Sequence, residues 1–222
     1  MASLCGVLAA LVTGIAAALV VVALAILPFL NPLWVGFEQG RADAAAWTGY
    51  NPDDLAYVTN EILADLVIGP QTFDVALAGQ PVLVERERQH MRDVRGVFAG
   101  FYVAAAAGAL VLLAAYLLAR AGGPGARTAF WRRLAGSGKV IAVVTVVGGL
   151  TSMFLFDTAF EIFHRLFFPA GTYLFDPRTD RLVQLFPEQF WVETTIGVGV
   201  VVIVLSVGLA LFSGRRAARL ES

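Results

Sequence analysis

Four stretches of this 222-residue chain, approximately residues 6–30, 98–118, 140–156 and 194–212, are apolar over a length that can cross a bilayer; about 17–25 mainly apolar residues suffice. A backbone in hydrocarbon finds no water to bond, so each stretch must close its hydrogen bonds within itself, as a helix does. The chain is 58% hydrophobic, against roughly 45–50% in a soluble domain. The expected fold is therefore an α-helical integral membrane protein with four transmembrane helices, the third free to continue as far as residue 168. Residues 1–222 form one expected membrane domain, since no stretch suggests a separate soluble one. The first stretch is too long for the apolar part of a signal peptide and has no basic residue before it, so a retained anchor is expected.

Loop charge orients the spans. Arg120, Arg127, Arg132, Arg133 and Lys139 lie between the second and third with no acid among them, and Arg215, Arg216 and Arg219 follow the fourth. Short basic loops stay in the cytoplasm. The connection 31–97 carries 10 acids and 5 bases, and 157–193 carries 6 and 3, so both are expected outside, with the two termini inside. A net charge of −1 argues against nucleic acid as a partner. Cys5 is the only cysteine, which excludes an intrachain disulfide, and no basic neighbour activates its thiol.

The outer segments predict a small extracytoplasmic cap made of an amphipathic helix and a short β-hairpin. Asn51-Pro-Asp-Asp has the form of a helix start, with Asn51 as cap and Pro52 in the first turn. Leu55, Val58, Ile62 and Leu66 then share one face, and Gly69-Pro70 ends the run. Thr72 to Val84, with its break at Gly79-Gln-Pro81, could supply short strands. The hairpin is expected where Asp176-Pro-Arg-Thr-Asp180 separates two β-prone runs, Thr172-Tyr-Leu-Phe and Arg181-Leu-Val-Gln-Leu-Phe.

The only two histidines occur in the same pattern, Glu87-x-x-His90 and Glu161-x-x-His164, each near an end of a span on the expected outer side. Imidazole exchanges a proton near neutral pH, its ordinary pKa being about 6.5. Residues three apart on a helix share a face, so Glu87 is expected to orient His90 and Glu161 to orient His164. Asp93 is a second candidate partner for His90, and Asp157, two turns before His164, for that ring. Arg165 is among the cations that could neutralise these acids or bind an anion.

From these residues alone, several accounts stand: juxtamembrane anchors, a metal site of the Glu-x-x-His type, a haem between two histidines, or acid–base catalysis. A serine nucleophile fits poorly. Ser137 and Ser213 fall on the inner side, Ser152 lies about three helical turns from His164, and no Gly-x-Ser-x-Gly occurs. Acyl chemistry would have to use histidine itself or a nucleophile that the substrate brings.

Glu87-Arg-Gln-His-Met-Arg-Asp-Val94, Phe160-Glu-Ile-Phe-His-Arg-Leu-Phe-Phe168 and the run from Gly171 through Leu185-Phe-Pro-Glu-Gln-Phe190 resemble the bacterial lipoprotein intramolecular transacylase (Lit) family. The motifs span about Glu85 to Trp191, and the span layout matches throughout. The resemblance implies a multi-pass enzyme of the bacterial plasma membrane whose active site faces outward. Such enzymes move the sn-2 acyl chain of a diacylglyceryl lipoprotein to the α-amine of its N-terminal cysteine, leaving an N-acyl lyso-form. His90 and His164 match the family's essential histidines. The implied partners are the lipoprotein N-terminus and membrane lipids, with no cofactor and no metal. The contrasting expectation is a non-enzymatic membrane protein that binds lipid or a protein partner at its outer face.

Overall fold

The computed structural model describes residues 4–169 and 171–221. Four of its helices are long and apolar enough to cross a membrane: α1 (Leu4–Ile26, extended by a 3-10 turn to Phe29), α5 (Glu85–Ala121), α6 (Pro124–Phe154) and α9 (Glu188–Ala218). Between α1 and α5 lie α2 (Pro32–Arg41), α3 (Ala44–Thr48), α4 (Pro52–Val67) and the strands β1 (Ala76–Leu77) and β2 (Gln80–Pro81). Between α6 and α9 lie α7 (Phe156–Phe167) and α8 (Arg181–Leu185). Helices α5 and α9 run beyond both ends of their apolar runs and α6 begins well before its own, whereas α1 stops short of residue 30. The third does not reach 168 unbroken. Leu155 leaves helical geometry, at φ −132 and ψ 37, and separates α6 from α7.

The chain forms two compact units. The first is Met1–Ile26, Gly100–Thr151 and Val198–Ser222. Its core gathers Ala17, Val21 and Ala25 of α1 with Phe130, Leu134 and Ile141 of α6 and Val202 of α9. Small residues bring these helices close, as they do in lipid, where apolar side chains gain little by leaving the hydrocarbon. At Gly138 a Cβ would stand 2.6 Å from the Ser206 carbonyl oxygen, so only glycine permits this approach of α6 to α9. Large apolar side chains such as Leu110, Val143 and Val204 face outward, as lipid contact requires.

The second unit is Leu27–Ala99 with Ser152–Gly197. Its core holds Leu55, Val58 and Ile62 of α4 against Phe73, Val75, Leu83, Met91 and Leu185, the α4 face that the sequence marks. Asn51 caps α4 through the Asp54 amide, with Pro52 in the first turn. The same signal recurs at Asn31-Pro32, where Asn31 accepts from the Leu33 and Trp34 amides and starts α2. Asp65 of α4 is buried and accepts from the Phe73 amide at 2.6 Å and the Thr72 hydroxyl at 3.2 Å.

A short β-hairpin is present, and it lies in the first of the two β-prone outer segments. Ala76 pairs with Pro81 and Leu77 with Gln80, around Ala78 and Gly79, which both have positive φ. That is the backbone of a two-residue hairpin turn whose twist matches its strands. The expected hairpin around Asp176–Asp180 does not form. Asp180 instead closes that turn on itself, accepting from the Asp176 amide at 2.7 Å. The following run begins a helix, α8, because the carboxylate of Glu87 reaches across to the Leu182 amide at 2.6 Å. A tertiary contact here overrides the β tendency of Leu-Val-Gln-Leu-Phe.

Candidate active site

His90 stands on the second turn of α5, in the charged part that precedes the apolar run, and His164 near the end of α7. They belong to the same unit. Their rings lie 5.9 Å apart, centroid to centroid, and only 18° from parallel. Both are buried, at 6% and 7% exposure. The two Glu-x-x-His patterns thus converge on one place, seventy-four residues apart in sequence.

The carboxylates of those patterns do other things. Glu87 is 1% exposed and gives one oxygen to the Val84 amide at 2.8 Å and the other to Leu182. It caps α5 and α8 rather than pairing with His90. Glu161 is exposed and bound to Arg165, also exposed. Asp157 lies exposed in the first turn of α7. Asp93 accepts from Gln89 at 2.9 Å, and its charge still favours protonation of His90 from one turn away.

The group that orients His164 is one that the sequence does not display. Its Nδ1 lies 2.7 Å from the Phe160 carbonyl oxygen, four residues back. A carbonyl only accepts, so Nδ1 carries the hydrogen and Nε2 of the neutral ring keeps its lone pair. The Nδ1 of His90 is buried without a partner.

Aromatic side chains surround the pair. Phe168 touches both rings, at 4.8 Å from His90 and 5.3 Å from His164. Phe175 packs on His90, and Phe160 and Tyr173 on His164. The loop that brings Phe175 is fixed by Arg86, which pairs with Asp180 at 2.7 Å and lies 4.9 Å over the Phe175 ring. These aromatics fall inside the runs that carry the family resemblance, and that is the signal that marks them.

Such surroundings disfavour charge. Burial pushes the His90 pKa down to about 4, helped by the neighbouring His164, while Asp93 opposes the shift. Burial also lowers that of His164, against the Phe160 carbonyl. Two rings this close cannot both be charged without mutual repulsion. The site therefore holds two neutral imidazoles among apolar walls, with one basic nitrogen whose direction is fixed. That suits transfer of a proton between neutral groups better than binding of an anion.

The family model of the lipoprotein intramolecular transacylase Lit matches residues 11–191. Among solved structures, the membrane integral lipoprotein intramolecular transacylase Lit from Bacillus cereus is 17% identical with a TM-score of 0.69, covering 97% of this chain and 95% of that one. A variant of the Bacillus cereus protein with a histidine replaced by arginine gives 19% identity and a TM-score of 0.70, covering 98% and 95%. At such identities these structures speak for a shared fold. No curated protein sequence matches significantly.

Proposed function

The chain belongs to the lipoprotein intramolecular transacylase Lit family of membrane acyltransferases, and from that membership we propose how its two histidines carry the transfer. The substrate is a lipoprotein whose N-terminal cysteine bears a diacylglyceryl group. Its sn-2 ester carbonyl and its own α-amine are the reacting partners. The amine, with an ordinary pKa of roughly 8, attacks in its neutral form. Nε2 of His164 takes the proton that the nitrogen sheds as it adds to the carbonyl carbon. The same nitrogen returns that proton to the glycerol oxygen as the ester C–O bond breaks. An amide forms, a hydroxyl appears at the sn-2 position, and no acyl group is lost.

His90, parallel to His164 and unpaired at Nδ1, is the donor to the tetrahedral oxyanion. Arg165, bound to Glu161 at the surface, is not needed for it. Holding amine and ester together supplies much of the rate, and the aromatic walls exclude water that would hydrolyse the ester instead. The reaction lies at the outer face of the plasma membrane, the side on which the acid-rich connections are read, with both termini in the cytoplasm.

The observation that carries this reading is the buried, parallel histidine pair with one tautomer fixed by a backbone carbonyl. It is tested by mass spectrometry of the N-terminal lipopeptide after a diacylglyceryl lipoprotein is incubated with the purified protein. An acyl group on the cysteine amine, with total acyl mass unchanged, is the expected product. His90→Ala and His164→Ala should each lower the rate by roughly 10²–10⁴-fold, the usual worth of a general acid or base. Wild-type activity in either folded variant would refute the two-histidine mechanism.

A further inference from the structure

Helix α7 is divided lengthwise. Phe160, Ile162, Phe163, Leu166 and Phe167 lie on one side, and Asp157, Thr158, Glu161 and Arg165 on the other. His164 sits on the border between them, turned inward. The apolar side is not covered by protein: Leu166 is 73% exposed, Ile162 54% and Phe167 50%. The polar side is exposed too. A helix free on both an apolar and a polar face fits neither a protein core nor plain water.

We propose that α7 lies in the plane of the bilayer surface, its apolar side sunk to the boundary of headgroups and acyl chains. The occupant is lipid, and direct chain continuity with the end of a membrane-crossing helix argues for it. Helix α6 ends at Phe154, one residue before α7 begins, and the exposed Phe154 and Leu155, in the same unit as α7, lead apolar surface into its start. At 12 residues, α7 is too short to cross hydrocarbon, which takes about 17 or more. Its polar side carries Asp157, Glu161 and Arg165, so no excess of positive charge draws it to anionic lipid. Burial of apolar side chains seats it, in whatever phospholipid the bilayer offers. The helix that carries His164 is held at a set depth by lipid, so the bilayer itself places that ring.

The test uses the full chain in phospholipid vesicles, with Cys5→Ala removing the single native thiol. Ile162→Cys, Leu166→Cys, Glu161→Cys and Arg165→Cys are made one at a time and given a nitroxide label. Accessibility to oxygen, which concentrates in hydrocarbon, is compared with accessibility to a water-soluble nickel complex. Oxygen should dominate at 162 and 166 and nickel at 161 and 165, alike in zwitterionic vesicles and in vesicles with added anionic lipid. Nickel dominating at 162 and 166, or neither reagent reaching them because protein covers them, would overturn the proposal. So would an oxygen pattern that appears only with anionic lipid. If a label disturbs folding, Phe167→Cys and Thr158→Cys repeat the comparison on the two sides. None of these outcomes depends on transacylase activity.

Discussion

At the residue scale the two histidines reach the neutral state by different means, and the difference can be measured. His90 is held low by burial first and by its neighbour second, to about 4; His164 is lowered by burial but tied to a carbonyl that resists the shift. An unfolded histidine titrates near 6.5. Between that value and the folded one, the unfolded chain binds the extra proton and the folded chain does not. Stability is therefore full above about pH 6.5 and is lost as pH falls toward 4. His90→Gln, which cannot titrate, should lose less of its thermal stability between pH 7 and pH 5 than the wild type does. Equal losses in the two would mean that His90 is not neutral when folded. The rate carries a second signature. Below about pH 8 it should fall roughly tenfold per unit as the substrate amine is protonated, with no steepening at pH 6.5, because burial sets the His164 pKa below its ordinary value. A slope of two setting in near pH 6.5 would show an ordinary, solvated histidine and sink the assignment of a depressed one.

At the scale of elements, Glu87 holds two helix starts that meet. Replacing it with alanine leaves the buried Leu182 amide without its acceptor, at a cost of about 1–3 kcal/mol, and takes the cap from the part-buried Val84 amide. Glu87→Ala should lower the unfolding temperature and raise hydrogen exchange at Leu182 in α8, while Glu87→Gln, which keeps an acceptor oxygen, recovers part of both. Unchanged exchange at Leu182 would mean that α8 does not depend on this cap. The same residue shows where the sequence stops being legible. Helical spacing sets Glu87 three residues before His90 on α5, but spacing says nothing about what else comes within reach, and two backbone amides claimed the carboxylate. Glu161 went to Arg165 in the same way, one turn along its own helix. The α4 face and its Asn51 cap were legible because both signals are local. Asn31-Pro32 was equally local. The hairpin failed at Asp176–Asp180 because its competitor, a capped helix, depends on a residue far off in the chain. The carbonyl that fixes His164 could not be read at all, since every residue has one.

At the scale of the whole molecule, the legible part is the part set by solvent. Four apolar runs became four long helices because lipid leaves a backbone no alternative, and the family-bearing motifs lie beside those runs, at the charged start of α5, along α7 and in the stretch through α8. The expected orientation rests on the same physics, through loop charge. The connection from Arg120 to Lys139 is basic and free of acid, while the segments holding the histidines carry an acidic excess, and basic loops resist translocation. The expected outcome can be checked in intact cells by replacing Cys5 with alanine and placing one new thiol at a time. Gly125 is exposed, and a side chain there meets nothing within 4 Å; Thr179 is exposed in the turn before α8. A membrane-impermeant maleimide should label Thr179→Cys in intact cells and Gly125→Cys only after the membrane is opened. The reverse pattern would put the histidine pair in the cytoplasm. It would then lie out of reach of a lipoprotein whose modified cysteine has already crossed the membrane, and the transacylase mechanism would lose its substrate.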